Sequence, residues 1–123
     1  MDGVAETAAG SRAAMRERME ELRAATRHLA SALAELEGTY DQVIAALDRG
    51  DPLLRTYGEV GFNHARDLTF AATSGFDAAF GAARAAGIRV LVDEGLSLSE
   101  IARLMGRSRQ FVTRLYRQAD PPA

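Results

Sequence analysis

Between residues 15 and 47, one set of positions recurs at alternating steps of four and three: Met15, Met19, Leu22, Thr26, Leu29, Leu33, Leu36, Tyr40, Val43 and Leu47. This spacing keeps a single stripe of an α-helix apolar over more than four heptads. At about 1.5 Å rise per residue, the helix would span roughly 50 Å. A lone rod has too little core of its own, so the stripe must be covered. Ala25, Ala30, Ala32 and Ala46 flank it and permit close helix approach, while only Arg18, Arg23 and Glu37 supply flanking charge. Self-association is therefore expected, as an antiparallel coiled coil or a four-helix dimer. Met19, Leu22, Leu29, Leu33, Leu36, Tyr40 and Val43 are the candidate oligomerisation residues. The competing arrangement folds the same stripe against later helices of the same chain. Gly38 falls inside the pattern and Thr39 with Gln42 has capping-box spacing, yet the register continues, so at most a bend is expected.

The remaining punctuation divides the chain further. Residues 1–10 are small and polar and read as a disordered tail, with the long heptad-patterned helix over 11–50. Gly50 ends that helix, and Asp51-Pro52 reads as the cap and first residue of the next. In the connecting segment 51–73, Leu54, Tyr57, Gly61, Ala65, Leu68 and Ala72 fit one helical face. Gly58 and Gly61 weaken that helix, and residues 68–72 could instead form a short strand. Ser74, with Asp77 three residues on, is expected to cap a helix carrying Phe76, Phe80, Ala83, Ile88, Leu91 and Val92. It would stop at Gly95, with Gly87 as a possible break.

Residues 97–117, SLSEIARLMGRSRQFVTRLYR, read as two short helices joined by a tight turn. Ser97 and Glu100 have the spacing of a capping box. Ile101, Ala102, Leu104 and Met105 are the apolar residues of the first helix, and Gly106 stands where a left-handed residue must end it. Ser108 is the natural cap of the second helix, to which Phe111, Val112 and Leu115 give an apolar face.

This pattern resembles the helix-turn-helix of DNA-binding proteins, particularly the units of bacterial resolvases, the promoter-reading end of sigma factors and small actinobacterial transcriptional regulators. Such units keep a small residue in the first helix, a Gly in the turn and apolar residues on the inner face of the second. Those roles fall here on Ala102, Gly106, Val112 and Leu115, with Ile101 and Met105 completing the wedge. The resemblance implies a second helix lying in the major groove of double-stranded DNA. Its exposed face would be Ser108, Arg109, Gln110, Thr113, Arg114 and Arg117, with Arg107 beside the phosphates. Arg suits guanine, Gln suits adenine, and Ser or Thr suit phosphates or either base. The alternative is an ordinary helical hairpin with a solvated basic face.

The charge distribution agrees with the DNA reading. The chain of 123 residues carries a net charge of −2. Six Arg against nine acids give −3 over residues 1–50, four against six give −2 over 51–95, and five against two give +3 over 96–123. Positive charge thus gathers at the two-helix motif. There is no cysteine, so disulfides and thiolate metal sites are excluded; together with the lack of a signal-peptide pattern this leads to an expectation of cytoplasmic location. No apolar run reaches the ~20 residues of a membrane span. Tyr57, Phe62, Phe70, Phe76 and Phe80 cluster in sequence and are expected to form core, less readily a pocket for a regulatory small molecule. His64 lacks a nucleophile or oriented partner, and no phosphate-loop, dinucleotide or zinc-protease pattern occurs. No catalytic residue, metal or cofactor is assigned. The expected protein is all-α, with a long N-terminal coiled-coil or bundle helix and a compact helix-turn-helix head over 74–120. It would act as a homodimeric or higher-order transcriptional regulator. An adaptor docking its heptad helix on a partner protein, or a non-specific chromosome-organising protein, are the alternatives.

Overall fold

The computed structural model describes residues 2–119. Among them the order is α1 (Asp2–Arg49), α2 (Leu53–Val60), α3 (Phe62–Asp93), α4 (Leu98–Met105) and α5 (Arg109–Gln118), with no strand. No helix among the described residues is long and apolar enough to cross a membrane.

Several boundaries differ from the sequence reading for identifiable reasons. α1 begins at Asp2, where a disordered tail over 1–10 is expected. Ala5, Ala8 and Ala9 carry the lowest helix cost of any residue type, and Ser11, only 3% exposed, ties the following turn into the packed chain. The helix continues through Gly38, and Thr39 does not restart it. Its hydroxyl donates back to the Glu35 carbonyl at 3.2 Å, which satisfies a buried polar group inside one continuous helix. Pro52, not Asp51, is the cap position of α2 and makes no side-chain cap bond. Asp51 instead pairs with Arg49 at 3.0 Å and Arg55 at 3.4 Å. Gly61, at φ 64°, stops α2, and α3 then runs without a break through residues 68–72, Ser74 and Gly87. The anticipated strand and the Ser74 cap are absent because the alanines of residues 65–86 favour continued helix over either.

Packing divides the chain into two compact units. One combines Met1–Arg23 with Ala78–Ala123, and the other is Ala24–Asp77. The expected split into 11–50, 51–73 and 74–120 therefore cuts across both, because α1 and α3 each contribute to the two units.

Along α1 the buried stripe is turned relative to the expected one. Met15, Leu22, Leu29, Leu36 and Val43 are half-buried, as the heptad pattern requires. Their companions in burial are Ala25, Ala32, Thr39 and Ala46, while Met19, Leu33, Tyr40 and Leu47 stand exposed. On α3 the matching positions are Ala65, Thr69, Ala72, Ala83 and Val90, all buried, in the same three-four alternation. Small residues in both rows let helix axes come close, so the small row wins the interface and the large one is left outside. Two of the buried threonines on this surface, Thr39 and Thr69, satisfy their hydroxyls by donating to the carbonyl four residues back. In the Ala24–Asp77 unit, Phe62 lies 6.1 Å from the Tyr40 ring and 5.7 Å from Tyr57. The aromatic group is not one core, however: Tyr57 and Phe70 are exposed, and Phe80 belongs to the other unit.

If small residues set the helix contact, Ala72→Leu should destabilise by about 1–3 kcal/mol through overpacking. Leu54→Asn, at a site 89% exposed, should change stability by less than about 0.5 kcal/mol. Thermal melting followed by circular dichroism distinguishes the two, and equal melting of both variants would contradict the packing.

Candidate nucleic-acid interface

The C-terminal helices are built by local bonds that the sequence specifies closely. Ser97 caps α4 by accepting from the Glu100 amide at 3.1 Å, and the Glu100 carboxylate accepts from the Ser97 amide at 3.4 Å. Gly106, at φ 67°, ends α4, with its own N–H directed to the Ala102 and Arg103 carbonyls and that of Arg107 donating to Ala102 at 3.0 Å. A side chain at Gly106 would meet open space, so the requirement for glycine is conformational, not steric. Ser108 then caps α5, its oxygen accepting from the Phe111 amide at 3.1 Å.

Ile88 of α3, Ile101 of α4 and Val112 of α5 are the largest side chains with essentially no exposure. Ala85, Ala102, Leu115 and Ala119 close the cluster around them. Ala102 is 5% exposed, as expected for a small residue where two helices meet. Leu104 is not part of this core; it is 68% exposed, on the outer side of α4. Burial of Val112 and Leu115 fixes which side of α5 faces outward. Arg109, Gln110, Arg114 and Arg117 are exposed there, Thr113 is half-buried, and these residues line a shallow depression along the helix. Arg107 and Ser108 are exposed at its start. The Ser108 oxygen is engaged as a cap acceptor, which leaves its O–H as a donor for an outside group.

The electrostatics of this face are one-sided. Several arginines elsewhere in the chain have carboxylate partners, such as Arg12 with Glu94 at 3.3 Å and Arg16 with Glu20 at 3.2 Å. Among the described residues, Arg103, Arg107, Arg109, Arg114 and Arg117 form no such pair, and Glu100, the one carboxylate among them on α4 or α5, is committed to the capping box. The first turn of α5 carries no acidic residue, so its free amides add to the positive field.

One residue matters more than its sequence position suggests. Phe111 reads as core, but it is only half-buried and its ring lies under three guanidinium groups. Arg107 is 4.1 Å from the ring centroid, Arg84 4.9 Å and Arg114 5.6 Å. The three-residue spacing of Phe111 and Arg114 is visible in the sequence, whereas Arg84 reaches the ring from α3 and only the fold brings it there. The aromatic face offsets part of the mutual repulsion of these cations. His28 and His64 are both exposed and belong to the Ala24–Asp77 unit.

Compared with known proteins, the chain matches no family model, no curated sequence and no solved structure.

Gly106→Ala should cost on the order of 1 kcal/mol and Gly106→Val more, because neither adopts a positive φ readily. Melting temperatures falling in the order Gly, Ala, Val check this, and a Val variant as stable as the parent would contradict the turn.

Proposed function

We propose that this protein is a sequence-specific regulator of transcription, binding double-stranded DNA through a helix-turn-helix formed by α4 and α5 and acting as a homodimer. The observation that carries this reading is the outer face of α5. It combines exposed arginines without carboxylate partners among the described residues, a Gln and a Thr, and a backside buried to zero exposure at Val112. Such a face is stabilised by a polyanion and by little else. Gln110 and Arg114 lie on the outer surface of the first two turns, where base edges are read, while Arg107, Arg117 and the Ser108 hydroxyl suit phosphates. This role belongs in the cytoplasm, and neither catalysis nor a cofactor is part of it.

The dimer rests on the uncovered row of α1. Met19, Leu33, Tyr40 and Leu47 are each 45–57% exposed at heptad-related positions, an apolar stripe that a second copy would cover. The half-buried Leu22, Leu29, Leu36 and Val43 then serve the chain's own packing first and flank the contact between copies. Two basic heads joined in this way gain avidity for a two-part site that one head lacks.

Titration of duplex DNA, a selected fragment against a scrambled one at two salt concentrations, tests the DNA reading. Gln110→Ala and Arg114→Ala should each cost about 1–3 kcal/mol of discrimination. Arg107→Ala and Arg117→Ala should weaken both fragments alike and lower the salt slope by about one per head. Melting should be unchanged in all four. Equal weak affinity of parent and variants for both fragments overturns the regulator in favour of an adaptor, and equal strong affinity of the parent for both favours a chromosome-organising protein. In sedimentation at micromolar concentration the parent should be at least dimeric, and Leu33→Gln with Leu47→Gln should dissociate it; a folded monomeric parent would remove the dimer from the account.

A further inference from the structure

Every methionine among the described residues, Met15, Met19 and Met105, lines a single groove of about 540 Å³ in the unit that contains α4 and α5. Phe80, Ile88 and Leu91 supply much of the rest of its apolar wall. Its size falls within the roughly 300–1,000 Å³ of small-molecule sites. Methionine is unbranched and polarisable, so a wall built from three of them adapts to a flexible apolar body rather than to one rigid shape. Gly87 opens part of the groove, since a Cβ there would lie 3.3 Å from the Met15 ε-methyl.

The groove also holds a cation that forms no carboxylate pair among the described residues. Arg12 at the rim is paired with Glu94 at 3.3 Å. Arg84, which also lines the groove, has a buried Nε with no hydrogen-bond partner among the described residues. Its guanidinium is held instead by two aromatic faces, Phe80 at 5.2 Å and Phe111 at 4.9 Å. A buried donor without an acceptor is costly, and a carboxylate at this point would satisfy both its hydrogen bond and its charge.

We propose that this groove binds a medium-chain aliphatic carboxylate, its chain against the three methionines and its carboxylate accepting from Arg84. The same contacts give the ligand a route to α5. Arg84 shares the Phe111 ring with Arg107 and Arg114, so drawing Arg84 toward a carboxylate changes how those two arginines are held and hence the affinity for DNA. This regulatory consequence rests on the DNA-binding reading, whereas occupancy of the groove does not.

The full-length chain carrying ¹³C-methyl methionine, titrated with decanoate and with decan-1-ol below their aggregation limits, tests both parts. Saturable shifts of the Met15, Met19 and Met105 methyls at one decanoate per chain are expected. Arg84→Gln should weaken decanoate about tenfold, the scale of a charge-assisted hydrogen bond, and leave decanol within about twofold. Gly87→Leu should abolish both. If that variant melts early, Met19→Glu, at the exposed edge, should repel decanoate selectively. Absence of saturable shifts, parent affinity equal for decanoate and decanol, or methyl shifts that follow protein dilution because a second copy fills the groove would each overturn the proposal. In parallel, decanoate should change duplex affinity for the parent and not for Arg84→Gln. Saturable decanoate binding without that change overturns the coupling, and saturable binding by a chain with no duplex affinity overturns the DNA reading alone.

Discussion

Three side chains, Ile88, Ile101 and Val112, come from three different helices and are removed from water almost completely. Burying three such residues is worth several kcal/mol, at about 1.5–3 kcal/mol each. The geometry matters more than the sum. Because Val112 must point inward at this junction, the residues on the opposite side of α5 must point outward, and those are Gln110, Arg114 and Arg117, with Arg109 exposed beside them as the first residue of the helix. The capping bonds of Ser97 and Ser108 and the positive φ of Gly106 then fix where each helix begins and ends. Polar exposure at the proposed interface is thus a consequence of apolar burial behind it.

Much of that local arrangement was legible in the sequence because it depends on residues close in the chain. A capping box needs a Ser and a Glu three apart, and a left-handed helix end needs a Gly in one place. Both can be read from residues 97–108 without knowledge of the fold. The rows of α1 were only half legible. The pattern of large apolar residues identified Met15, Leu22, Leu29, Leu36 and Val43 as inward, but the partner row was decided by what α3 presents. Since α3 offers Ala65, Ala72 and Ala83, close approach of small residues outweighed burial of Leu33, Tyr40 and Leu47. A helix read alone cannot reveal that choice. The placement of Arg84 over Phe111 was hidden for the same reason, as the two are brought together by α3 packing and by no local spacing.

The exposed row left on α1 and the arginines on α5, which have no carboxylate partner among the described residues, are both incomplete surfaces, one apolar and one cationic. Each is costly to leave uncovered, the first through exposed apolar area and the second through like-charge repulsion. The proposed DNA-bound dimer would cover both together, so a single functional reading accounts for two unrelated features of the chain. Arg84 lines the apolar groove and shares the Phe111 ring with Arg107 and Arg114, so in the proposed account that ring is the point through which a bound carboxylate would alter the arginines that face DNA.

The most direct measurement is recovery of DNA fragments from a genomic pool by the purified protein, sequenced alongside the input. If the outer face of α5 reads bases, the recovered fragments share a sequence element, and a Gln110→Ala, Arg114→Ala double variant recovers fragments in which that element is blurred or lost. Recovery by the parent in simple proportion to the input, indistinguishable from that of the double variant, would contradict the central claim.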